Sequence, residues 1–226
     1  MRLRLASLLA LGCVAATAAW ADAVPEPTSE SCRDTAATAV QKRYDGVRDL
    51  RARFVQTTRP VSLGGGTAAK TTSRGTVVLA KPGKMRWSYE APEPSLVVSD
   101  GKTLWLYDPG FREAQKLPAG EGFLSGAAAQ FLLGAGDMRR DFEVTAVSCQ
   151  AYEVELELVP KTPASYEKLY LTVDPRAGDV RQTRVVDLLG NIAEVAFEDL
   201  RVNQRPGAEV FQFVPPEGVK VVELSP

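Results

Sequence analysis

The chain has 226 residues, 45% hydrophobic and 24% charged, with a formal net charge of −1 and no histidine. That length suits one sizeable domain with a buried core, and the lack of a clustered basic segment argues against nucleic acid as a partner. Without histidine there is no Ser-His-Asp triad, no imidazole general base and no histidine-bearing metal site.

Arg2 and Arg4 precede an apolar run from Leu5 to Trp20, and Ala19-Trp20-Ala21 supplies the small residues of a signal-peptidase site. Residues 1–21 therefore read as a signal peptide, and losing its two arginines takes the mature formal charge from −1 to −3. The apolar run falls short of the roughly 20 residues that span a bilayer. Cys13, after Leu11-Gly12, offers a lipid-attachment alternative, but cleavage there would leave the Ala-x-Ala site without a purpose. Residues 22–30 read as a flexible Pro/Glu/Ser spacer, and 31–226 as a single domain.

Residues 31–47 form an expected amphipathic helix, with Ala37, Val40, Tyr44 and Val47 at helical spacing. Cys32 on this helix and Cys149 are the two cysteines left after leader removal, an even count suited to a disulfide in an exported protein. Closing so long a loop stabilises by about 4–5 kcal/mol in the chain-entropy account. Two unpaired buried thiols are the other reading.

Beyond the helix most of the chain reads as strand. Leu50, Ala52 and Phe54 alternate with Arg51, Arg53 and Val55, a break falls at Gly64–Gly66, and strand character resumes over 71–80. Residues 81–109 hold two of the three tryptophans. Met85, Trp87 and Tyr89 fall at spacing two, and Leu104 and Leu106 oppose Thr103, Trp105 and Tyr107. Asp100-Gly101 signals a type I′ hairpin turn, while Pro82-Gly83 and Pro92 to Pro94 punctuate the ribbon.

Ser125–Gly134 is a short apolar helix with a serine N-cap and a glycine C-cap, either a core plug or a lid over an apolar cavity. Further on, Val154, Leu156 and Leu158 oppose Glu153, Glu155 and Glu157, and Leu169, Leu171 and Val173 oppose Lys168, Tyr170 and Thr172. Asp174–Gly178 is a turn, 180–188 a strand, and Ala193, Val195 and Phe197 oppose Glu194 and Glu198. This is the pattern of an antiparallel meander that closes, or nearly closes, into a barrel. Its inner face is either a packed core or a ligand cavity, which periodicity does not separate.

No G-x-S-x-G elbow, G-x-G-x-x-G or phosphate-binding loop occurs, and Gly64–Gly66 lacks the Lys-Ser/Thr that would follow. Glu153, Glu155 and Glu157 fall on the solvated face, a poor place for a glycosidase carboxylate pair. The expectation is a protein that is not an enzyme.

The strings K-P-G-K-M-R-W and S-D-G-K-T-L-W-L-Y-D-P, with L-R-A-R-F-V-Q upstream and F-V-P-P-E-G-V-K-V near the end, resemble the LolA family of periplasmic outer-membrane lipoprotein carriers. The similarity runs from about Arg33 to Val222. It implies a mainly β fold with helices, an incomplete antiparallel β-barrel covered by a helical lid and enclosing an apolar cavity. The implied activity is that of a monomeric periplasmic chaperone without a cofactor. It would bind the acyl chains of lipoproteins released by an inner-membrane LolCDE-type exporter and deliver them to an outer-membrane acceptor, LolB-type where present.

By the same resemblance Phe54, Met85, Trp87 and Trp105 become cavity residues, while Val40, Tyr44, Phe131, Leu132 and Leu133 belong to the lid. Lys81 stands where many members carry arginine, retaining the charge without the planar fork, and is a candidate for lid control. The chain is also expected to lack any extra C-terminal strand, and Cys32–Cys149 is not a general family pair. The alternatives are a lipid-binding sensor of the cell envelope, a carrier of another lipid, and a structural barrel with a filled core.

Overall fold

Residues 29–61, 69–119 and 137–224 are described by the computed structural model. The leader, the Gly64–Gly66 break and the Ser125–Gly134 helix with Phe131, Leu132 and Leu133 lie outside the described residues. Helix α1 spans Ser29–Asp45 and is followed by β1 (Asp49–Arg59), β2 (Thr71–Ala80), β3 (Lys84–Ala91), β4 (Ser95–Asp100), β5 (Thr103–Asp108) and β6 (Glu113–Pro118). A one-turn helix α2 (Met138–Asp141) leads into β7 (Phe142–Gln150), β8 (Glu153–Pro160), β9 (Tyr166–Val173), β10 (Val180–Asp187) and β11 (Ile192–Val202). A 3-10 turn at Ala208–Phe211 and β12 (Lys220–Glu223) complete the order.

All twelve strands belong to one sheet, ordered β12-β6-β5-β4-β3-β2-β1-β11-β10-β9-β8-β7. The outermost strands, β12 and β7, are not paired with each other, so the barrel is unclosed. Its two meanders meet where β1 pairs antiparallel with β11, from Leu50 opposite Val202 to Arg59 opposite Ile192. Strand β12, which begins within the F-V-P-P-E-G-V-K-V segment, pairs parallel with β6. Only four residues long, it alternates too briefly to be read as a strand from sequence.

One sheet face is predominantly apolar. In the N-terminal half one cross-strand row runs Leu50, Leu79, Met85, Ser99, Leu104, Leu117, and the next runs Ala52, Val77, Trp87, Val97, Leu106, Gln115. In the C-terminal half the rows run Val144, Leu158, Leu169, Val185 and Ala146, Leu156, Leu171, Thr183. Residues of both halves join a single buried cluster, so the curled sheet turns this face inward upon itself. The strand alternation read from sequence sets these faces.

Helix α1 buries Cys32, Ala36, Ala37, Val40 and Tyr44, a stripe at helical spacing packed over β7 and β8. It ends at Asp45, two residues earlier than expected; Val47 is buried in the connection to β1 and donates its N–H to the Tyr44 carbonyl at 3.2 Å. Several ties hold the helix to the sheet. A disulfide joins Cys32 to Cys149 of β7. Arg43 Nε donates to Asp179 Oδ1 at 2.8 Å, and the Tyr44 hydroxyl accepts from the Val180 N–H at 3.3 Å. Gly178, at φ +74°, lets the β9–β10 turn touch the helix backbone: a Cβ there would lie 2.2 Å from the Ala39 carbonyl oxygen. Met138 N–H of α2 donates to Gln41 Oε1 at 2.9 Å on the other flank.

The Asp100-Gly101 turn differs from the expected type I′. Gly101 alone of the pair has positive φ, at +93°. The last paired residues are Ser99 and Leu104, which makes a four-residue loop. Asp100 Oδ1 accepts from the N–H groups of Lys102 and Thr103, each at 2.8 Å, and these bonds hold its carboxyl below the usual range. The side-chain acceptor does the work that positive φ at Asp100 would have done.

Replacing both Cys32 and Cys149 by serine is expected to lower stability by about 4–5 kcal/mol, read from urea unfolding. The unreduced protein should show no reactive thiol, and two reactive equivalents would contradict the bridge. Burial pushes the Tyr44 phenol up to about 12. Below its ordinary pKa of about 10 it is neutral folded or unfolded; above that the unfolded chain alone ionises, so stability falls as pH rises towards 12. Tyr44→Phe should remove about 2–3 kcal/mol of that decline, measured by comparing urea midpoints of the two proteins across this window.

Candidate lipid-binding face

The inner-face rows carrying Met85 and Trp87 contain no ionisable group from β2 to β6. Phe54 is 1% exposed and faces Gly75 across the β1–β2 pair. With no side chain at Gly75, the rings of Trp87 and Tyr89 close over Phe54. Their centroids lie 4.9 Å and 5.1 Å from its own, both edge-on. A larger residue at 75 is prevented by the bulge there, since a Cβ would meet the Ser88 carbonyl oxygen at 1.9 Å. The Tyr89 hydroxyl donates to Gln56 Oε1 at 2.9 Å, and burial raises its pKa.

Burial is uneven along this face. Met85 is buried, whereas Trp87, Tyr89, Val97 and Leu106 are only partly so. The described helices pack over β7 and β8, at the opposite edge of the sheet. On the N-terminal meander, Trp87, Tyr89, Val97 and Leu106 form a partly accessible wall of aromatic and aliphatic side chains. Such a wall can hold an apolar chain. Among the described residues no group of three or more His, Cys, Asp or Glu side chains is arranged to hold a metal ion.

The residues singled out from sequence separate on inspection. Phe54, Met85 and Trp87 share the inner face, and Val40 and Tyr44 of α1 pack into the same core. Trp105 does not join them. It pairs with Val98 on the outer face, where its ring and that of Tyr107 lie 5.4 Å and 5.2 Å from the ring of Phe213. Lys116 sits over it at 5.9 Å. Leu104 and Leu106 are the residues of β5 that point inward. Both faces of this strand are apolar because the segment after β11 covers the outer one, so alternation alone gives the wrong orientation.

Lys81 reaches α1: its Nζ donates to the Tyr44 carbonyl at 3.0 Å. That carbonyl belongs to the helix C-terminus, where cations are favoured by the helix dipole and by unmet acceptors. A point charge suffices there, and no fork is needed. Sequence reasoning missed Tyr89, Val97 and Leu106 as members of the wall, although the spacing of Tyr89 from Trp87 carried the signal.

These features define an unclosed β-barrel with a clamped helix and an apolar, partly open inner wall. Residues 45–214 match the family described as outer membrane lipoprotein carrier protein LolA. A relative from Methylibium petroleiphilum is 30% identical over 216 residues, spanning 95% of this chain and 96% of its own. One from Azotobacter vinelandii is 33% identical over 184 residues, spanning 79% and 84%. Both bear the name outer-membrane lipoprotein carrier protein. The chain belongs to the LolA family. An uncharacterized conserved protein from Thermus thermophilus has the same fold, with a TM-score of 0.52 at 11% identity, covering 84% of this chain and 98% of that one.

Trp87→Glu should weaken binding of a fluorescent long-chain acyl probe by about tenfold or more, because it places a charge in the apolar wall. Trp105→Gln, on the other face, should leave affinity within about twofold in the same titration.

Proposed function

We propose that the mature protein is a periplasmic lipoprotein chaperone, which shields the acyl chains of its cargo against the inner face and carries them between membranes. The observation that supports this most is the uncharged wall of Phe54, Met85, Trp87, Tyr89, Val97 and Leu106, partly open in a member of the LolA family. Relatives over most of its length are named as outer-membrane lipoprotein carriers.

Each CH2 group withdrawn from water contributes about 0.8 kcal/mol, so an acylated protein needs cover to cross an aqueous space. Release requires that the cover not bind too tightly. Large side chains with incomplete mutual packing, including the adaptable thioether of Met85, give a wall that accommodates chains without a close-fitting pocket. No chemical step or cofactor enters this account.

In this reading residues 1–21 are the cleaved leader, and a LolCDE-type exporter and an outer-membrane acceptor are the donor and recipient. Helix α1, with Val40 and Tyr44, is a static part of the cover, because a covalent bond and several polar ties join it to the sheet. Lys81 acts on the cover by anchoring the C-terminus of that helix.

The test is extraction. Mature protein added to inner-membrane vesicles containing the exporter, ATP and a triacylated lipoprotein should shift the lipoprotein into a soluble one-to-one complex. Retention of all cargo in the vesicle pellet, under conditions where an authentic carrier releases it, would overturn the assignment.

A further inference from the structure

The outer face of the sheet carries two kinds of charge arrangement. Across β8, β9 and β10 basic side chains meet acids: Arg184 pairs with Glu155, Lys168 with Glu157 at 3.2 Å, and Arg181 with Asp174 at 2.8 Å. Across β11, β1 and β2 the pattern is mixed. Arg59 pairs with Glu194 at 3.7 Å, and Glu198 stands opposite Arg53 in the register. Arg201, Arg51, Arg53 and Arg74 are exposed, and among the described residues none of their side chains makes a hydrogen bond or ion pair.

The register gathers part of this charge at one place. Arg201, Arg51, Val78 and Arg86 succeed one another across β11, β1, β2 and β3. Arg51 and Arg86 thus stand two strands apart, about 10 Å between Cα atoms, on either side of the smaller Val78. In the adjoining row Thr76 faces Ser88, and neither hydroxyl has a partner among the described residues.

The chain leaving β11 roofs this spot. Asp49 accepts from the N–H groups of Gln204 at 2.6 Å and Arg205 at 3.1 Å, and Arg86 Nη1 donates to the Val210 carbonyl at 3.2 Å. Between this segment and the sheet lies a pocket of about 380 Å³, with Arg51, Thr76, Val78, Arg86 and Ser88 on the sheet side. Asp49 is the one acid in its wall, and both carboxylate oxygens are already engaged by the roof.

We propose that this pocket binds a phosphate ester, its tetrahedral oxyanion held between the guanidinium groups of Arg51 and Arg86, with the Thr76 and Ser88 hydroxyls as further donors. Arginine forks match phosphate oxygens geometrically. Two forks approaching from opposite sides suit a tetrahedral anion better than a planar carboxylate, which one fork satisfies. Arg201, opposite Arg51 in the register, adds a further positive charge beside the site in a chain whose formal net charge is −1. The sheet separates the pocket from the apolar wall, so its ligand is distinct from any acyl chain there, and the proposal does not rest on the carrier reading.

Phosphate esters reach the protein either free or as phospholipid headgroups, and calorimetric titration separates the two. Mature protein would be titrated with glycerol 3-phosphate, with acetate, and with vesicles of phosphatidylcholine containing phosphatidylglycerol. Saturable binding of glycerol 3-phosphate, weakened about tenfold or more in Arg51→Gln, marks a site for free esters. Binding to the vesicles alone with the same Arg51 dependence marks a headgroup site. Arg51 makes no contact that the fold needs, so loss of binding in this variant is not loss of structure; Arg181→Gln, in the paired region, should change nothing. The proposal fails if neither phosphate source binds, if acetate binds as well as the ester, or if Arg51→Gln binds like the parent.

Discussion

The pairing of β1 with β11 is the constraint on which the rest depends. It joins Leu50 to Val202 and Phe54 to Phe197, turning two meanders into one continuous sheet. Bringing such distant segments together carries a loop-closure cost, offset by burial of Leu50, Ala52 and Phe54 on the inner side of β1. Both faces of the molecule follow from this join. Phe54 becomes the centre of the inner aromatic cluster, and Arg51, one residue out of phase, becomes part of the outer basic row.

An unclosed sheet with an apolar inner face has to be covered, and the two halves meet that need differently. Over β7 and β8, α1 is held by a disulfide, by Arg43–Asp179, by Tyr44 and by the close approach at Gly178. Leu156, Leu158, Leu169 and Leu171 beneath that half of the sheet are fully buried. Trp87 and Tyr89 pack on Phe54 and stay partly accessible.

Strand β5 shows where pattern reading runs out. Thr103-Leu104-Trp105-Leu106-Tyr107 alternates, yet its larger side chains lie on both faces, and size gives no orientation. Phe213, more than a hundred residues away, covers Trp105 and Tyr107 and decides it. Strand β3 was legible for the opposite reason: Met85, Trp87 and Tyr89 oppose Arg86, Ser88 and Glu90, so polarity marks the faces. The same logic separates β8, β9 and β11, whose faces were read correctly, from β6 and β12, whose mixed residues gave no period.

By itself the sequence determined the strand-rich class, the sides of the strongly alternating strands, the helix at Ala37–Tyr44 and the absence of histidine. Its motifs also carried the family. These properties are local, set by spacing along the chain and by which side chains tolerate water. The tertiary structure alone decided that Trp105 faces outward, that Lys81 caps α1, and that arginines dispersed from Arg51 to Arg201 stand together. Each depends on register between strands far apart in sequence, and register is settled by the packing of the whole sheet.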